Sequence, residues 1–172
     1  MNCLSCDAAL EKVHGQSHHW CRDCNRYEFP TDLGEGEVPI ISDGGSANFQ
    51  CPQCEVSLKV GSITDSVEVC FCNNCRGFVT PSQSLGEVIG QMRVAYLGPD
   101  DRPQPIDPQE LEILGTCFAC RVMMESHPCY GPGNIDGPGN IVLNTCNQCQ
   151  LAWLDHGELA KIIRALGPRV GH

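Results

Sequence analysis

The sequence predicts a small, metal-stabilised α+β fold made of three tandem units. The 172-residue chain contains 14 cysteines, a proportion typical of proteins held together by metal ions or disulfides. Twelve of these cysteines form six C-x2-C pairs, where random placement predicts only about one pair. Aromatic residues make up 6% of the chain, while 18 glycines and 12 prolines indicate short elements joined by many turns.

The six pairs combine, in chain order, into three quartets. Between the two pairs of a quartet lie 14 residues (7–20), 17 residues (55–71) and 25 residues (121–145). The first two gaps match or approach those of four-cysteine zinc sites, and the third has a longer loop. The predicted metal ligands are Cys3, Cys6, Cys21 and Cys24; Cys51, Cys54, Cys72 and Cys75; and Cys117, Cys120, Cys146 and Cys149. Because four sulfurs occupy all four coordination positions of a tetrahedral ion, we expect the sites to be structural rather than catalytic.

Zinc is the metal that this ligand set favours, and we expect three zinc ions, each with four cysteines. Iron suits the same tetrahedron of sulfurs, so the sequence leaves the two metals open. Disulfides are disfavoured, because the first residues show no export signal and cytosolic reductants oppose them. Thioredoxin-like redox chemistry is also disfavoured, because no pair directly precedes a helix in a βαβ unit.

The apolar pattern gives each unit the order knuckle, hairpin, knuckle, helix, where a knuckle is the turn that holds a C-x2-C pair. Alternating apolar residues such as Val67, Val69 and Phe71 predict half-buried strands between the pairs. After the second and third quartets, apolar residues recur at the i, i+3, i+4, i+7 spacing of an amphipathic helix. These residues are Leu85, Val88, Ile89 and Met92 in the second unit, and Leu159, Ile162, Ile163 and Leu166 in the third.

The third helix has the clearest predicted boundaries. Asp155 is placed to cap it, and Glu158, three residues later, completes a capping box. Gly167 and Pro168 predict its end. In the second unit, helix starts near Thr80 and near Ser84 are equally well supported. The first unit carries helix breakers in the corresponding region, so we expect it to be truncated. These breakers are Pro30, Gly34, Gly36 and Pro39.

Composition places linkers between the units. A short helix is predicted in the second linker, where Asp107 and Glu110 form a capping box with Pro108 at the first helical position and Gly115 at the end. The predicted divisions are residues 1–33 for a truncated first zinc ribbon, 34–50 for a flexible linker rich in Gly, Ser and acids, 51–97 for a second ribbon with its helix, 98–116 for a Pro-rich linker with the short helix, and 117–172 for a third ribbon with a C-terminal helix.

Several residues outside the quartets resemble parts of other sites. Cys70 could replace Cys72 as a ligand, although a buried thiol in a strand is the favoured interpretation. His127 and Cys129 could capture a second soft metal in the long third loop, whereas a turn-rich exposed loop is favoured. His156 and Glu158 form the H-x-E of zinc deaminases, but the downstream P-C-x-x-C is absent. We therefore predict that the protein is not an enzyme.

The charge of the chain bears on its partners. Eleven Lys and Arg against 21 Asp and Glu give a formal charge of -10, and three filled quartets would lower this to about -16. Such a charge disfavours nucleic acid as the principal partner. No apolar stretch reaches the ~18 residues of a membrane span, and no apolar leader precedes the first cysteine, so we expect a cytoplasmic protein that does not enter the membrane.

One stretch of the third unit resembles a known family. Residues 146–159 contain Cys146, Cys149 and the run WLDHGEL, which is similar to the C-x-x-C-x-x-x-W-L-D-x-G-E-L signature of the transcription factor IIB-type zinc-finger family. The resemblance implies a zinc-ribbon fold, one zinc held by the third quartet and a helix after its second knuckle, with Asp155 and Glu158 at the acidic positions of the signature. The second unit keeps the cysteines and helix pattern, and the first keeps little beyond its ligands.

Glycine usually follows each knuckle in such ribbons, where the backbone is left-handed. This chain has other residues there, of which Asp and Asn tolerate the left-handed conformation best. They are Asp7, Asn25, Glu55, Arg76, Arg121 and Gln150.

The sequence favours a non-enzymatic zinc-binding module whose helices present surfaces to a protein partner. Two alternatives remain open. One is a transcription-associated regulator that contacts nucleic acid or polymerase, as the family name suggests. The other is a zinc-gated redox sensor or chaperone, in which oxidation of thiolates ejects the metal.

Overall fold

A computed structural model describes residues 1–12, 19–24, 26–28, 40–64, 67–102, 105–112, 115–129 and 141–169. It confirms a small α+β protein whose strand pairs are antiparallel. The strands are β1 (Glu11–Lys12), β2 (His19–Cys21), β3 (Arg26–Glu28), β4 (Ile41–Gln50), β5 (Ser57–Ile63), β6 (Val67–Phe71), β7 (Phe78–Pro81), β8 (Glu125–Cys129), β9 (Ile141–Cys146) and β10 (Leu151–Leu154). The α-helices are α1 (Ser82–Ala95) and α2 (Glu158–Arg164), and Pro108–Glu112 is a 3₁₀-helix.

The strands form two sheets. β1, β2 and β3 make a three-stranded sheet, which we call the first unit together with the first quartet. The second unit (β4 to β7 and α1) and the third unit (β8 to β10 and α2) share one seven-stranded sheet in the order β4-β5-β6-β7-β10-β9-β8. The antiparallel pairing of β7 with β10 joins them, so the second and third units form one continuous sheet and not two separate domains.

The junction between β7 and β10 has approximate two-fold symmetry. Val79 and Trp153 each lie four residues after the fourth cysteine of their quartet, and they pair with each other across the junction. On either side, Phe78 pairs with Leu154 and Thr80 pairs with Ala152. Equivalent positions therefore exchange places across the axis, as in the self-complementary interface of a symmetric dimer.

Both helices lie on one face of the seven-stranded sheet. Phe78 and Leu154 point to this face and contribute to a core that includes Leu85 of α1 and Leu159 of α2. The buried residues of the two predicted helix stripes are Leu85, Val88, Leu159, Ile162 and Ile163. Each such side chain contributes about 1.5–3 kcal/mol by leaving water. The stripes thus pack within the chain itself, and these side chains offer no free surface to a partner.

The opposite face of the sheet carries the second and third quartets. Because side chains alternate along a strand, Val79 and Trp153 point away from the helices and join the cluster that contains both quartets. Leu58 and Met124 complete its apolar part. One face therefore holds the helices and the other holds the two metal-binding groups.

The predicted flexible linker of residues 34–50 is wrong for its second half, because Ile41–Gln50 forms the edge strand β4. It pairs with β5 from Ile41 opposite Ser62 to Gln50 opposite Ser57, with two irregularities between them. Gly44, at a φ of 82°, lies in the first irregularity. A Gly- and Ser-rich segment can pair through its backbone alone, so its composition did not reveal the strand. Residues 34–39 lie outside the described part of the chain.

The helices begin at other residues than the sequence indicated. α1 begins at Ser82, whose backbone N donates to the Gln150 carbonyl of the third unit at 2.9 Å. α2 begins at Glu158 after left-handed Gly157, and no side chain of the described residues caps it. Half of the predicted capping box forms, because Glu158 Oε2 accepts a hydrogen bond from the Asp155 backbone N at 2.7 Å.

Two other predicted segments have separate outcomes. The short helix is the 3₁₀-helix Pro108–Glu112, and Asp107 Oδ1 accepts a hydrogen bond from the Gln109 backbone N at 2.9 Å. The expected truncation of the first unit falls on residues 29–39, which lie outside the described residues. Neither α1 nor α2 is long and apolar enough to span a bilayer, in the portion of the chain that the structure describes.

Candidate metal centres

The knuckles share one backbone geometry. In the knuckles that begin at Cys3, Cys51, Cys72 and Cys117, the residue after the second cysteine donates its N–H to the carbonyl of the first, as Glu55 does to Cys51 at 3.0 Å and Arg121 does to Cys117 at 2.9 Å. This turn requires a left-handed backbone at the residue after the second cysteine, and the prediction of that position is confirmed where the structure describes it. The residues with positive φ at these positions are Asp7 (60°), Glu55 (58°), Arg76 (58°), Arg121 (64°) and Gln150 (54°). Asn25 lies outside the described residues.

The twelve predicted cysteines come together as three groups of four. Within each group the sulfur atoms all lie within 4.8 Å of one another. Sulfur pairs within 3.6 Å include Cys6–Cys21 at 3.4 Å, Cys51–Cys75 at 3.6 Å and Cys120–Cys146 at 3.6 Å. A tetrahedral ion with ~2.3 Å bonds to sulfur has sulfurs roughly 3.8 Å apart. The three groups are therefore positioned to bind one metal ion each.

Backbone N–H groups point at some of the sulfurs. The Cys149 N–H lies 3.4 Å from Cys146 Sγ, and this donor lowers the pKa of Cys146 to about 7. The pKa of Cys149 moves in the opposite direction. Hydrogen bonding to Cys120 and burial raise it to about 12. Thiols packed this closely resist losing all their protons together. A metal ion must displace those protons as it binds, so the groups suit a cation that neutralises them.

The three groups differ in burial. All four sulfur ligands of the second group are buried, the most exposed residue being Cys54 at 5%. In the third group Cys120 and Cys149 are half-buried. In the first group Cys24 is half-buried and Cys6 is exposed. Access from solvent therefore increases from the second group to the third and to the first.

Tyr27 connects the first unit to the second group. It lies in β3 and packs against the cluster that contains Cys54 and Cys75. Burial raises the pKa of the Tyr27 phenol, and the nearby charges of Cys54 and Cys75 raise it further. The first unit thus covers the second metal centre with an aromatic ring, which explains part of the deeper burial of that group.

Trp153 belongs to the buried cluster that contains the second and third groups and is 1% exposed. Its Nε1 donates to Asp155 Oδ1 at 2.8 Å, and Gln53 Nε2 donates to the same oxygen at 2.5 Å. Since Gln53 belongs to a knuckle of the second group, Asp155 ties that knuckle to the start of α2. Gly77 has no room for a Cβ, which would collide with the Trp153 ring.

Asp155 has a different role from the predicted one. The sequence pattern indicated a helix cap, whereas its carboxylate holds Trp153 and Gln53. Nothing in the local sequence signals a contact with a residue 102 positions away. Glu158 beside it is 3% exposed, and burial raises the pKa of its carboxyl well above the ordinary value, with the charge of Asp155 adding to the effect.

The other candidate ligands do not join a metal-binding group. Among the described residues, the groups of Cys, His, Asp and Glu that could hold an ion are the three quartets. Cys70 is half-buried in β6, and Cys72 keeps its place in the second quartet. His127 Nε2 lies 3.3 Å from Glu125 Oε2 instead. Cys129, His156 and Glu158 also lie outside the quartets.

A cleft of about 240 Å³ opens between the second group and the start of α2. Phe71, Phe78 and Leu159 form its apolar walls, and Arg76 and His156 line its polar part. Its volume is below the roughly 300–1,000 Å³ of pockets for drug-sized ligands. The cleft has room for a single side chain.

Comparison with protein-family models, with curated proteins and with solved structures finds no match to this chain.

Proposed function

We propose that this chain is a zinc-binding protein whose three four-cysteine sites are structural and which acts, without catalysis, as a protein-interaction module. The observation that carries the proposal is the closure of each site by sulfur. Twelve cysteines supply three sets of four ligands, and a tetrahedral ion bound by four sulfurs has no position left for water or substrate. Such an ion stabilises a fold and does not activate a reactant.

Zinc rather than iron is part of this proposal. Four thiolates suit both metals, and elemental analysis of protein purified under reducing conditions distinguishes them. We expect three zinc ions per chain and less than one tenth as much iron. Cobalt substitution provides a second readout, because tetrahedral cobalt with four thiolates absorbs visible light strongly. Fewer than two metal ions per chain would contradict the proposal.

The zinc-ribbon assignment, in the manner of transcription factor IIB-type zinc fingers, is also proposed. It is supported by the contacts of the signature residues: Trp153 packs in the cluster that contains two of the groups, Asp155 binds its indole, and Glu158 accepts the Asp155 backbone N–H. Gly157 adopts a left-handed φ of 84°, which favours glycine. Each of these positions in the signature therefore has a physical reason.

A protein is the partner that the charge of the chain favours. With -10 before metal binding, the molecule repels phosphate backbones on average. Twelve of the 14 cysteines gather in metal-binding groups, a use of cysteine that suits a reducing compartment, and we place the protein in the cytoplasm. The cleft beside α2 supports an interaction role, because it can accept a side chain from a partner.

The test uses the zinc-loaded chain as bait in native lysate, with and without nuclease. We expect one protein to be captured in both conditions and to be lost when zinc is stripped under reducing conditions. A parallel measurement uses a fluorescent DNA duplex at low and moderate salt. Binding to the duplex that weakens steeply with salt would favour the transcription-associated alternative instead.

A further inference from the structure

The first group is the most accessible of the three. Cys6 is exposed and Cys24 is half-buried, whereas Cys3 and Cys21 are buried. In the second group all four cysteines are buried. A hydroperoxide in solution can therefore reach a sulfur of the first group directly, while the second group is covered by the sheet and by Tyr27.

Among the described residues, the first unit has the shortest strands and lies in the smaller sheet. Its strands have two, three and three residues, and they form a sheet separate from the seven-stranded one. A unit of this size rarely folds without a metal or another staple. The metal of the first group is therefore the main support of the fold around it.

We propose that the first group is a thiol-oxidation site for hydroperoxides, and that its oxidation releases metal and detaches the first unit. This inference rests on the proposed zinc binding. The exposed Cys6 thiolate attacks the peroxide O–O bond, forming a sulfenic acid and releasing hydroxide. The Cys21 thiolate then attacks that sulfur, forming a disulfide and releasing a second hydroxide.

The reaction balances as a two-electron oxidation. Two thiolates lose two electrons in total. Hydrogen peroxide accepts them and yields two hydroxide ions, whereas an organic hydroperoxide yields one alkoxide and one hydroxide. Cys21 is the resolving residue, because its Sγ lies 3.4 Å from Cys6 Sγ. Closing this gap to the ~2.05 Å of a disulfide needs only a small movement. The disulfide removes two of four ligands, so the site releases its metal.

A second pair is placed for the same reaction. Cys3 Sγ and Cys24 Sγ lie 3.5 Å apart, and a second peroxide would oxidise them once the metal has left. Each disulfide would hold its two sulfurs ~2.05 Å apart in place of 3.4–3.5 Å, so the two knuckles would shift and the first unit would lose its fit against the second.

Tyr27 links oxidation of the first group to the exposure of the second group. It lies in β3, three residues after Cys24, and packs on the cluster around Cys54 and Cys75. The cysteines at the same places in the third group are Cys120 and Cys149, which are half-buried. Departure of Tyr27 would give the second group a comparable exposure. Oxidation of one site would therefore uncover a surface at another.

The experiment titrates the full zinc-loaded chain with hydrogen peroxide in the presence of a chromogenic zinc chelator. We expect a first phase that releases one zinc per chain, at a rate roughly tenfold or more above that of the remaining two. Peptide mapping after this phase should find the Cys6–Cys21 disulfide. Release of zinc from the second or third group first, or of all three ions in one phase, would overturn the inference.

Two variants keep the test interpretable. C6S should start with two zinc ions per chain, or lose the fast phase, and Y27L should expose Cys54 and Cys75 to alkylation without peroxide. A matched variant, C129S, removes a cysteine outside the quartets and should leave the fast phase unchanged. If the chain holds no zinc at the start, the proposed function fails. If it holds three but the fast phase lacks the Cys6–Cys21 link, only the redox inference fails.

Discussion

The guanidinium of Arg93 in α1 donates a hydrogen bond from Nη1 to the carbonyl oxygen of Ile162 in α2, at 2.7 Å. The same nitrogen reaches the Ala165 carbonyl at 2.8 Å, and Nη2 reaches the Gly167 carbonyl at 3.1 Å. The last carbonyls of a helix have no partner within it and carry its negative partial charge. Arg93, which is 2% exposed, therefore caps the helix of the neighbouring unit with a buried charge.

Replacing Arg93 with methionine should destabilise the protein by about 2–4 kcal/mol, because several buried carbonyls lose a charged donor. R93K keeps the charge but lacks the planar fork, so we expect an intermediate loss. Guanidinium unfolding of zinc-saturated protein measures both. R102M, at an exposed arginine, is the matched control and should change stability by less than about 0.5 kcal/mol. Equal effects of R93M and R102M would contradict the capping role.

Arg121 is exposed and has a left-handed backbone at a φ of 64°. Glycine adopts this conformation without the cost that an L-residue has there, roughly 1 kcal/mol. R121G should therefore stabilise the third unit by several tenths to about 1 kcal/mol, despite the greater freedom of the unfolded chain. V122G, at the next exposed residue, should instead destabilise it. Thermal unfolding at saturating zinc compares the two, and a lower midpoint for R121G would refute the expectation.

Burial raises the pKa of the Glu158 carboxyl in the folded state. A raised pKa means that folding favours the protonated acid, so its stabilising contribution is present at low pH and is lost as pH rises through the folded-state value. E158Q removes this titration. The stability of E158Q relative to the unchanged protein should therefore increase as pH rises above the ordinary glutamate pKa of about 4.3. Unfolding at saturating zinc, with E112Q at an exposed site as control, measures the difference. A difference independent of pH would contradict it.

Gly77 has no space for a methyl group, because a Cβ there would meet the Trp153 ring and lie 3.2 Å from the Leu154 carbonyl oxygen. G77A should destabilise the protein by about 1–3 kcal/mol and change the tryptophan fluorescence as Trp153 shifts. G86A is the matched control. Gly86 is exposed in α1 with open space around its Cβ position, and alanine there should stabilise the helix by roughly 0.5–1 kcal/mol. Equal stability of the two variants would exclude the steric role.

Removal of metal should unfold all three units, because each structural zinc contributes an apparent ~10–16 kcal/mol to folding. Far-UV circular dichroism and amide dispersion before and after chelation measure the loss, with re-addition of zinc as the control for reversibility. Chelation that leaves both signals unchanged would show that the sheet remains folded without bound metal.

The metal ligands were predictable because a C-x2-C turn is local, and because the second C-x2-C pair of each quartet follows at a sequence separation typical of zinc sites. The left-handed residues after the knuckles, such as Glu55 and Arg121, follow from the same local turn. The coarse α+β class followed from periodicity. In these cases the sequence within a few residues of a position determines its structure.

The remaining features depend on contacts between distant segments. The helix stripes around Leu85 and Leu159 indicated buried faces, yet periodicity does not tell which surface buries them, and here it is the chain's own sheet. The pairing of β7 with β10 uses backbone groups and leaves little trace in the side chains. Strand β4 was not predicted because Gly44 and its neighbours have the composition of a linker. The role of Asp155 was not predicted because that role depends on Gln53, which lies far away in the sequence.

The β7–β10 junction also bears on how such a protein can arise. A single ancestral half could close the same sheet as a homodimer, and fusion of two copies makes that association independent of concentration. Fusion also frees the two halves to diverge at the axis. Trp153 lies over Gly77, while the counterparts of these residues are Val79 and Leu151. Two identical subunits would have to place the same ring on both sides, so this large-to-small fit requires two halves of different sequence.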